Sequence, residues 1–220
     1  MPNQTETPEN SVVAYLREIR ASALPLTEQQ MQSAADFAQI LYRENKIQNL
    51  TRIEGPKEFV DGHLSDVVEL LSLPTLGNRV LDIGSGSGVP GLLAAAINAE
   101  SERVWFLCEA EKNKAEYLQR AKEELGLKRV SVFHKRAEEI VGVLKPDSVI
   151  ARAVGTVEKL AGWIANCSTW NNLILFKSKG WESEWSDAQK SRFGKKLTVI
   201  HMHEYSSGDK VRRLITLKRK

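Results

Sequence analysis

The first third of the chain has apolar residues at helical spacing. They recur three and four positions apart over residues 27–45, where a Thr and a Gln at the start fit a capping box, so a long helix is predicted there. A shorter helix is predicted over residues 11–19, and Gly55-Pro56 opens a further one with proline in its first turn. Residues 1–74 are therefore expected to form a helical portion, with residues 1–10 as a disordered leader.

After residue 74 the pattern changes to short apolar strands that alternate with helices. Helices are predicted over 91–98, 112–125 and 157–164, and strands over 79–83, 103–108, 129–133, 147–152, 173–176, 197–203 and 211–217. Such alternation indicates a parallel sheet. The predicted fold is α/β: a mostly parallel Rossmann-like sheet with an antiparallel C-terminal strand pair over residues 75–220, plus the N-terminal helical extension.

Composition fits a soluble globular protein. The 220 residues are 42% hydrophobic and 27% charged, which suits one large domain or one domain with an appendage. The longest apolar run, 92–97, is far shorter than the ~20 residues of a membrane helix. The first ten residues lack a secretory signal, and Cys108 and Cys167 are too few for a disulfide framework or a four-ligand zinc site. A cytoplasmic protein with no metal and no membrane contact is expected.

Charge is distributed unevenly along the chain. Residues 171–220 contain 12 Lys and Arg against 5 Asp and Glu, a net charge of +7, whereas the remaining residues carry −4. A surface that meets a polyanion such as nucleic acid has this asymmetry, and so does a solvated tail. Charge alone leaves both interpretations open.

A glycine-rich segment, VLDIGSGSGVPG, follows the first predicted strand and precedes a helix. Glycines at 84, 86 and 88 let the backbone approach a ligand closely at the carboxyl edge of the sheet. The spacing also matches a dinucleotide fingerprint, although Pro90 removes one amide donor. Asp82 instead makes the segment resemble motif I of the class I S-adenosylmethionine methyltransferases; without a ligand, it would simply cap the loop. Glu109, or its neighbour Glu111, has the paired oxygens that suit two ribose hydroxyls.

Further segments resemble one family, the small-subunit ribosomal RNA guanine-N7 methyltransferases (RsmG, also called GidB). The resemblance runs from Pro25 to Lys218. Its elements are NK-x-x-NLT at Asn45, RH-x-x-DS at His63 with Asp66 in the acidic position, the loop with Pro90-Gly91, R-x-E-E at Arg136, SRA at Arg152, LKG near Lys179 and a closing strand at Arg212. The chain departs from this pattern at Gly62, Val67, Ala151, Val154 and Ser178.

The resemblance implies methyl transfer from S-adenosylmethionine to N7 of a guanine in 16S rRNA, in the small ribosomal subunit or its precursor, with S-adenosylhomocysteine as product. It implies three sets of site residues. The expected cofactor-binding residues are Asp82, Gly84, Gly86, Gly88, Val89, Glu109, Ala137, Glu138 and Arg152. The expected catalytic residues are Arg152, His63 and Arg136. The expected RNA-binding residues are Asn45, Lys46, Asn49, Lys179, Arg212 and Arg213.

Other functions stay open at this point. Guanine N7 carries an in-plane lone pair and needs no general base, so positioning is the main requirement. No Pro-Pro-aromatic motif follows the fourth strand, as an adenine-N6 enzyme would need, and neither cysteine suits a cytosine-C5 enzyme. The alternatives are a methyltransferase acting on another RNA or substrate, a dinucleotide oxidoreductase, and a non-catalytic RNA-binding relative. A monomer is expected.

Overall fold

A seven-stranded sheet forms the centre of the protein in the computed structural model, which describes residues 11–220. The leader predicted over residues 1–10 lies outside the described residues. The strand order is β3-β2-β1-β4-β5-β7-β6. The strands are β1 (Arg79–Ile83), β2 (Val104–Glu109), β3 (Val130–His134), β4 (Ser148–Arg152), β5 (Asn172–Lys177), β6 (Leu197–Ser207) and β7 (Lys210–Arg219).

The first five strands are parallel, and β7 is antiparallel to both of its neighbours, β5 and β6. The predicted sheet is therefore confirmed, including its antiparallel C-terminal pair. Because β1 lies between β2 and β4, the chain reverses its direction of winding there. The carboxyl ends of these three strands meet at one edge, which is where α/β sheets bind ligands.

The helices lie on both faces of the sheet. They are α1 (Val12–Ala21), α2 (Glu28–Gln48), α3 (Pro56–Phe59), α4 (Ser65–Ser72), α5 (Gly91–Ile97), α6 (Lys112–Glu124), α7 (Ala137–Leu144), α8 (Val157–Trp163) and α9 (Trp181–Lys190). The predicted capping box of α2 is present. The sequence did not predict α7 and α9. The first has a β-branched run and a glycine, which disfavour helix, and α9 buries only Trp181 and Ala188.

The N-terminal helices share a hydrophobic core with the sheet. Phe37 and Leu41 of α2 belong to the same buried cluster as Leu92 of α5, Trp105 of β2 and Ile150 of β4. A second cluster fills the opposite face under α7, α8 and α9. Residues 11–74 thus cover one face of the sheet, and the change of sequence pattern near residue 75 does not separate two cores. Within residues 11–220 no helix has the length and apolarity to span a membrane.

A π-helical turn, Val60–Leu64, joins α3 to α4 without a break. The widened turn brings the backbone of Gly62 against Ile53: a Cβ at Gly62 would lie 2.4 Å from Ile53 Cδ1. Glycine fits here because the two segments approach so closely. Such turns are common at functional sites, and this one carries His63 to the carboxyl edge of β4.

Candidate active site

The glycine loop connects β1 to α5 at the carboxyl edge of the sheet. Gly84, Gly86 and Gly88 all have left-handed backbones, with φ of +69°, +48° and +85°. A Cβ on Gly86 would meet no atom closer than 3.7 Å, so the space above this residue is open. A Cβ on Gly88 would instead lie 3.1 Å from Phe37 Cε2 of α2. The N-terminal helix therefore supports the loop from behind, while Gly86 faces free space.

Asp82 lies beneath the loop and is fully buried. Its Oδ2 accepts a hydrogen bond from the Gly91 amide at 3.0 Å, at the start of α5, and Oδ1 has no partner. Burial raises the pKa of this carboxyl to about 7. The carboxylate therefore holds the loop and α5 in place, and its expected contact with the cofactor stays a prediction. Val89 packs into the core cluster that α2 and α5 share, and its expected contact with the cofactor stays a prediction.

Glu109 ends β2 beside the loop, as predicted. Its Oε2 accepts from the Gly86 amide at 2.9 Å, and its Oε1 accepts from the Glu111 amide at 2.9 Å. Each carboxylate oxygen keeps a further lone pair for a hydroxyl donor. The backbone contacts therefore fix the carboxylate at the edge of the loop with two oxygens available to a diol.

A cavity of about 180 Å³ opens next to Glu109. Five predicted site residues line it, namely Gly84, Glu109, Arg136, Ala137 and Glu138. The remaining lining residues are Ile83, Cys108, Ala110, Lys135, Val154 and Trp163. The open glycine loop, the two carboxylate oxygens of Glu109 and this partly apolar cavity fit the sugar and base of an adenosyl group. Trp163 and Val154 were not predicted as cavity residues, since tryptophan and valine are ordinary core residues in sequence.

The Cys108 thiol in this cavity is buried and hydrogen-bonded. Burial raises its pKa to about 12, and the nearby carboxylates of Asp82 and Glu109 add to the effect. The Sγ lies 3.0 Å from the carbonyl oxygen of Lys135 and donates to it. Among residues 11–220 there is no cluster of three His, Cys, Asp or Glu side chains arranged to hold a metal ion.

A buried ion cluster adjoins the carboxyl end of β4. Asp66, which is 1% exposed, accepts from Arg212 Nη1 at 2.6 Å and pairs with Arg152 Nε at 3.2 Å, both on Oδ2. The Tyr205 hydroxyl donates to Oδ1 at 2.7 Å. One carboxylate therefore joins α4, β4, β6 and β7. Tyr205 gave no signal in the sequence because only the tertiary fold brings it to Asp66.

His63 lies behind Arg152 in this cluster. Arg152 Nη1 is 3.0 Å from His63 Nδ1, and His63 Nε2 is 3.2 Å from Thr51 Oγ1. Nδ1 also lies 3.1 Å from Gly62 O, so this nitrogen faces both the guanidinium donor and a carbonyl acceptor. Burial and the neighbouring arginines lower the pKa of His63 to about 3, so the ring is neutral. Its contacts position Arg152, which also donates through Nη2 to Gly62 O at 2.7 Å.

These contacts show how two of the predicted catalytic residues are held, and their catalytic roles stay predictions. His63 is buried with both ring nitrogens engaged, and it orients Arg152. Arg152 binds Asp66, His63 and Gly62, and burial lowers its pKa. Arg136 lies apart from this cluster: it is exposed, and its amide donates to Glu139 Oε1 at 2.8 Å at the start of α7.

Two of the predicted RNA-binding residues have structural roles at the end of α2, and their contacts with RNA stay predictions. The Asn45 side chain exchanges two hydrogen bonds with the backbone of Thr51, at 3.0 and 2.8 Å, and is buried. Asn49 ends α2 in the left-handed conformation. Lys46 is exposed, with its Nζ 4.7 Å from the centre of the Tyr42 ring. The first two therefore shape the turn after α2.

The predicted basic residues of the C-terminal hairpin are ion-paired. Arg212 binds Asp66, while Arg213 binds Glu204 at 2.9 Å and Glu182 at 2.7 Å. Lys179 is exposed in the loop after β5. Neither arginine is thus a free surface charge, whereas the exposed Lys179 is accessible to a phosphate.

Comparison with solved structures supports the fold. The chain has a TM-score of 0.56 and 15% identity to MtNAS in complex with MTA and tNA, with 92% of this chain and 81% of that chain covered. It has a TM-score of 0.55 and 14% identity to M. capricolum TrmK in complex with S-adenosyl-homocysteine, with 70% and 68% covered. At these identities the similarity concerns the fold alone.

Comparison with known sequences identifies the family. The family described as rRNA small subunit methyltransferase G (GidB) matches residues 30–215. The protein of this name from Rhodopirellula baltica is 33% identical over 186 residues, 84% of this chain and 79% of that protein. The one from Actinobacillus succinogenes is 29% identical over 196 residues, 86% of this chain and 89% of that protein. The chain therefore belongs to the rRNA small subunit methyltransferase G family.

Proposed function

We propose that this protein transfers a methyl group from S-adenosylmethionine to N7 of a guanine in 16S rRNA, in the small ribosomal subunit or its precursor. The family match over residues 30–215 carries the proposal. The open glycine loop and Glu109 beside it support the cofactor, since they meet the chemistry of an adenosyl group at the ligand-binding edge of the sheet.

The geometry of the loop supports an assignment of the cofactor residues. Gly84 and Gly86 would hold the ligand by close backbone approach, Glu109 would accept from the ribose hydroxyls, and the cavity beside Ala137 and Trp163 would take the base. The bound cofactor supplies an electrophilic methyl group on a sulfonium. Asp82 contributes indirectly by fixing α5 through the Gly91 amide.

The chain needs no general base for this reaction, because N7 of guanine carries no proton. The remaining requirements are to hold the base in line with the methyl donor and to exclude water. Holding the two reactants in this orientation lowers the activation barrier. The ion cluster of Asp66, Arg152, Arg212 and Tyr205 is held by mutual hydrogen bonds at the carboxyl end of β4. It provides a fixed wall beside the cofactor loop.

The test is transfer of a labelled methyl group from S-adenosylmethionine to small ribosomal subunits and to free 16S rRNA. The modified nucleotide is located by reduction and aniline cleavage, which break the chain at 7-methylguanine. Labelled 7-methylguanine at one position supports the proposal. Label on another base, or label only on a different RNA, contradicts it, and so does binding of cofactor without any transfer.

A further inference from the structure

A second and much larger cavity, of about 1040 Å³, lies at the same edge of the sheet. The ends of β4 and β5, the start of α9 and the β6–β7 hairpin enclose it. We infer that this cavity receives the target nucleotide of the RNA, and that Lys179 and Lys210 at its opening contact the RNA phosphates. This inference rests on the proposed function and names the substrate side of the same site.

The position of the cavity relative to the cofactor loop is the first argument. Arg152 and Ala153 line the large cavity, whereas the next residue, Val154, lines the small one. Val154 also covers the loop, because a Cβ on Gly84 would lie 2.6 Å from Val154 Cγ2. Ala153 has a left-handed backbone, with φ of +58°, where the chain turns between the two. Three consecutive residues thus form the wall shared by both cavities.

The lining suits a nucleotide. Phe176 keeps part of its ring exposed at the wall, and aromatic side chains stack on bases without regard to sequence. Arg152 and Arg212 form the polar wall around Asp66. A volume of this size exceeds what one base requires, so it can also accommodate the sugar and a neighbouring nucleotide.

The distribution of ion pairs identifies the cations that are free to meet phosphate. Six basic residues line the cavity, and four of them are paired within the protein: Arg152 and Arg212 with Asp66, Lys177 with Glu184, and Arg213 with Glu204. Lys179 and Lys210 are exposed, and no described residue forms an ion pair with either side chain. They lie on the two sides of the opening, one in the loop after β5 and one at the hairpin.

The first test is RNA affinity, which does not depend on activity. Binding of the Lys179→Ala/Lys210→Ala protein to 16S rRNA is measured by filter binding at several salt concentrations. We expect affinity to fall at least ~10-fold and the slope of log affinity against log salt to decrease by about 1 to 2, since two phosphate contacts are lost. Affinity for S-adenosylmethionine, measured by calorimetry, stays unchanged.

The matched control is Lys128→Ala/Lys195→Ala. Both lysines are exposed, and they precede β3 and β6 at the opposite edge of the sheet. This control removes the same charge, so it separates a local contact from a change in overall charge. Equal losses of affinity in the two double variants would overturn the assignment of Lys179 and Lys210.

The second test fills the cavity. Val211 is 54% exposed on the cavity wall and belongs to neither the ion cluster nor the cofactor loop. Val211→Trp is expected to lower methyl transfer at least ~10-fold, mainly through a higher KM for rRNA, with cofactor affinity and thermal unfolding unchanged. If the wild-type protein modifies guanine N7 and this variant does so equally well, the cavity is not the nucleotide site. If the wild-type protein modifies no guanine, the proposed function fails, and RNA affinity still decides between the two pairs of lysine variants.

Discussion

Glycine is required at position 86 because a side chain there would enter the open space above the loop. Its φ of +48° strains any other residue, yet a side chain there would meet no protein atom closer than 3.7 Å. The side chain of a Gly86→Val variant would therefore enter the region that the ligand needs. We expect cofactor affinity, measured by calorimetry, to fall at least ~100-fold, about 2.7 kcal/mol, while the fold persists.

Gly126→Val is the control for this variant. Gly126 also has a left-handed backbone, with φ of +65°, and a Cβ there has nothing within 4 Å. The backbone strain is therefore comparable, but the position is far from the loop. Gly86→Val protein that binds the cofactor as well as this control would refute the assignment of the loop.

His63 makes the protein sensitive to acid. The native ring keeps a pKa of about 3, whereas an unfolded histidine titrates near ~6.5. Below about pH 6.5 the unfolded chain therefore binds a proton that the native state does not, and the unfolding free energy falls by up to ~1.4 kcal/mol per pH unit. We expect His63→Asn to flatten this acid side in urea titrations between pH 4 and 6.5.

Asp82 affects the pH dependence of stability in the opposite direction and provides the comparison for His63. Its native pKa of about 7 lies above the ordinary value of 3.8, so the native state holds a proton that the unfolded state loses. Stability therefore declines as pH rises from about 4 to 7. Asp82→Asn should gain stability relative to the wild type over this window; parallel pH curves for the two variants would contradict both assignments.

Helix α5 packs closely against the sheet at Gly91, its first residue. A Cβ on Gly91 would lie 2.6 Å from both Asp82 Oδ2 and Leu107 Cδ2, two buried atoms. Gly91→Ala must therefore move the start of α5 away from β1 and strain the Asp82 contact. We expect a loss of about 1–3 kcal/mol in unfolding free energy, together with weaker cofactor binding, because the loop moves with the helix.

A second helical glycine provides the control for this element. Gly142 of α7 has no atom within 4 Å of an added Cβ. Gly142→Ala is expected to raise the unfolding free energy by about 0.5–1 kcal/mol, since alanine is the better helix former. If both alanine variants change stability in the same direction, close packing does not decide the choice of glycine at 91.

At the scale of the whole molecule, the N-terminal helices and the sheet are expected to unfold together. They share one hydrophobic cluster, and Phe37 of α2 contacts the glycine loop. The five tryptophans report on residues 105–185, and amide hydrogen exchange reports on α2. Both probes should give the same urea midpoint. Opening of α2 at a lower urea concentration would show that residues 1–74 form a separate domain.

The pairing of charged side chains is also decided at the scale of the whole molecule. The net charge of +7 over residues 171–220 left both a polyanion-binding surface and a solvated tail open. In the structure, Lys177 and Arg213 pair with Glu184 and Glu204, which the +7 already includes, whereas Arg212 pairs with Asp66 from outside this segment. Sequence cannot count such pairs, because Asp66 and Arg212 are distant along the chain. Only the fold distinguishes the paired cations from exposed ones such as Lys179.

The sequence by itself determined the seven strands along the chain and the ligand-binding edge. Local patterns carry this information: the capping box of α2, the alternation of strands and helices, and the glycine loop with Glu109 at the end of the next strand. These features depend on neighbours a few residues apart, or on the rule that parallel strands end at one edge. The family motifs added the expected cofactor and reaction.

The tertiary structure decided which side chains are available. It placed His63 behind Arg152, buried Asp82 beneath the loop, and enclosed a large cavity between α9 and the hairpin. Burial and pairing arise from contacts between residues that are far apart in sequence, and they set both pKa and access. A motif can therefore name a histidine or an arginine, but long-range packing decides whether that side chain meets a ligand or supports one that does.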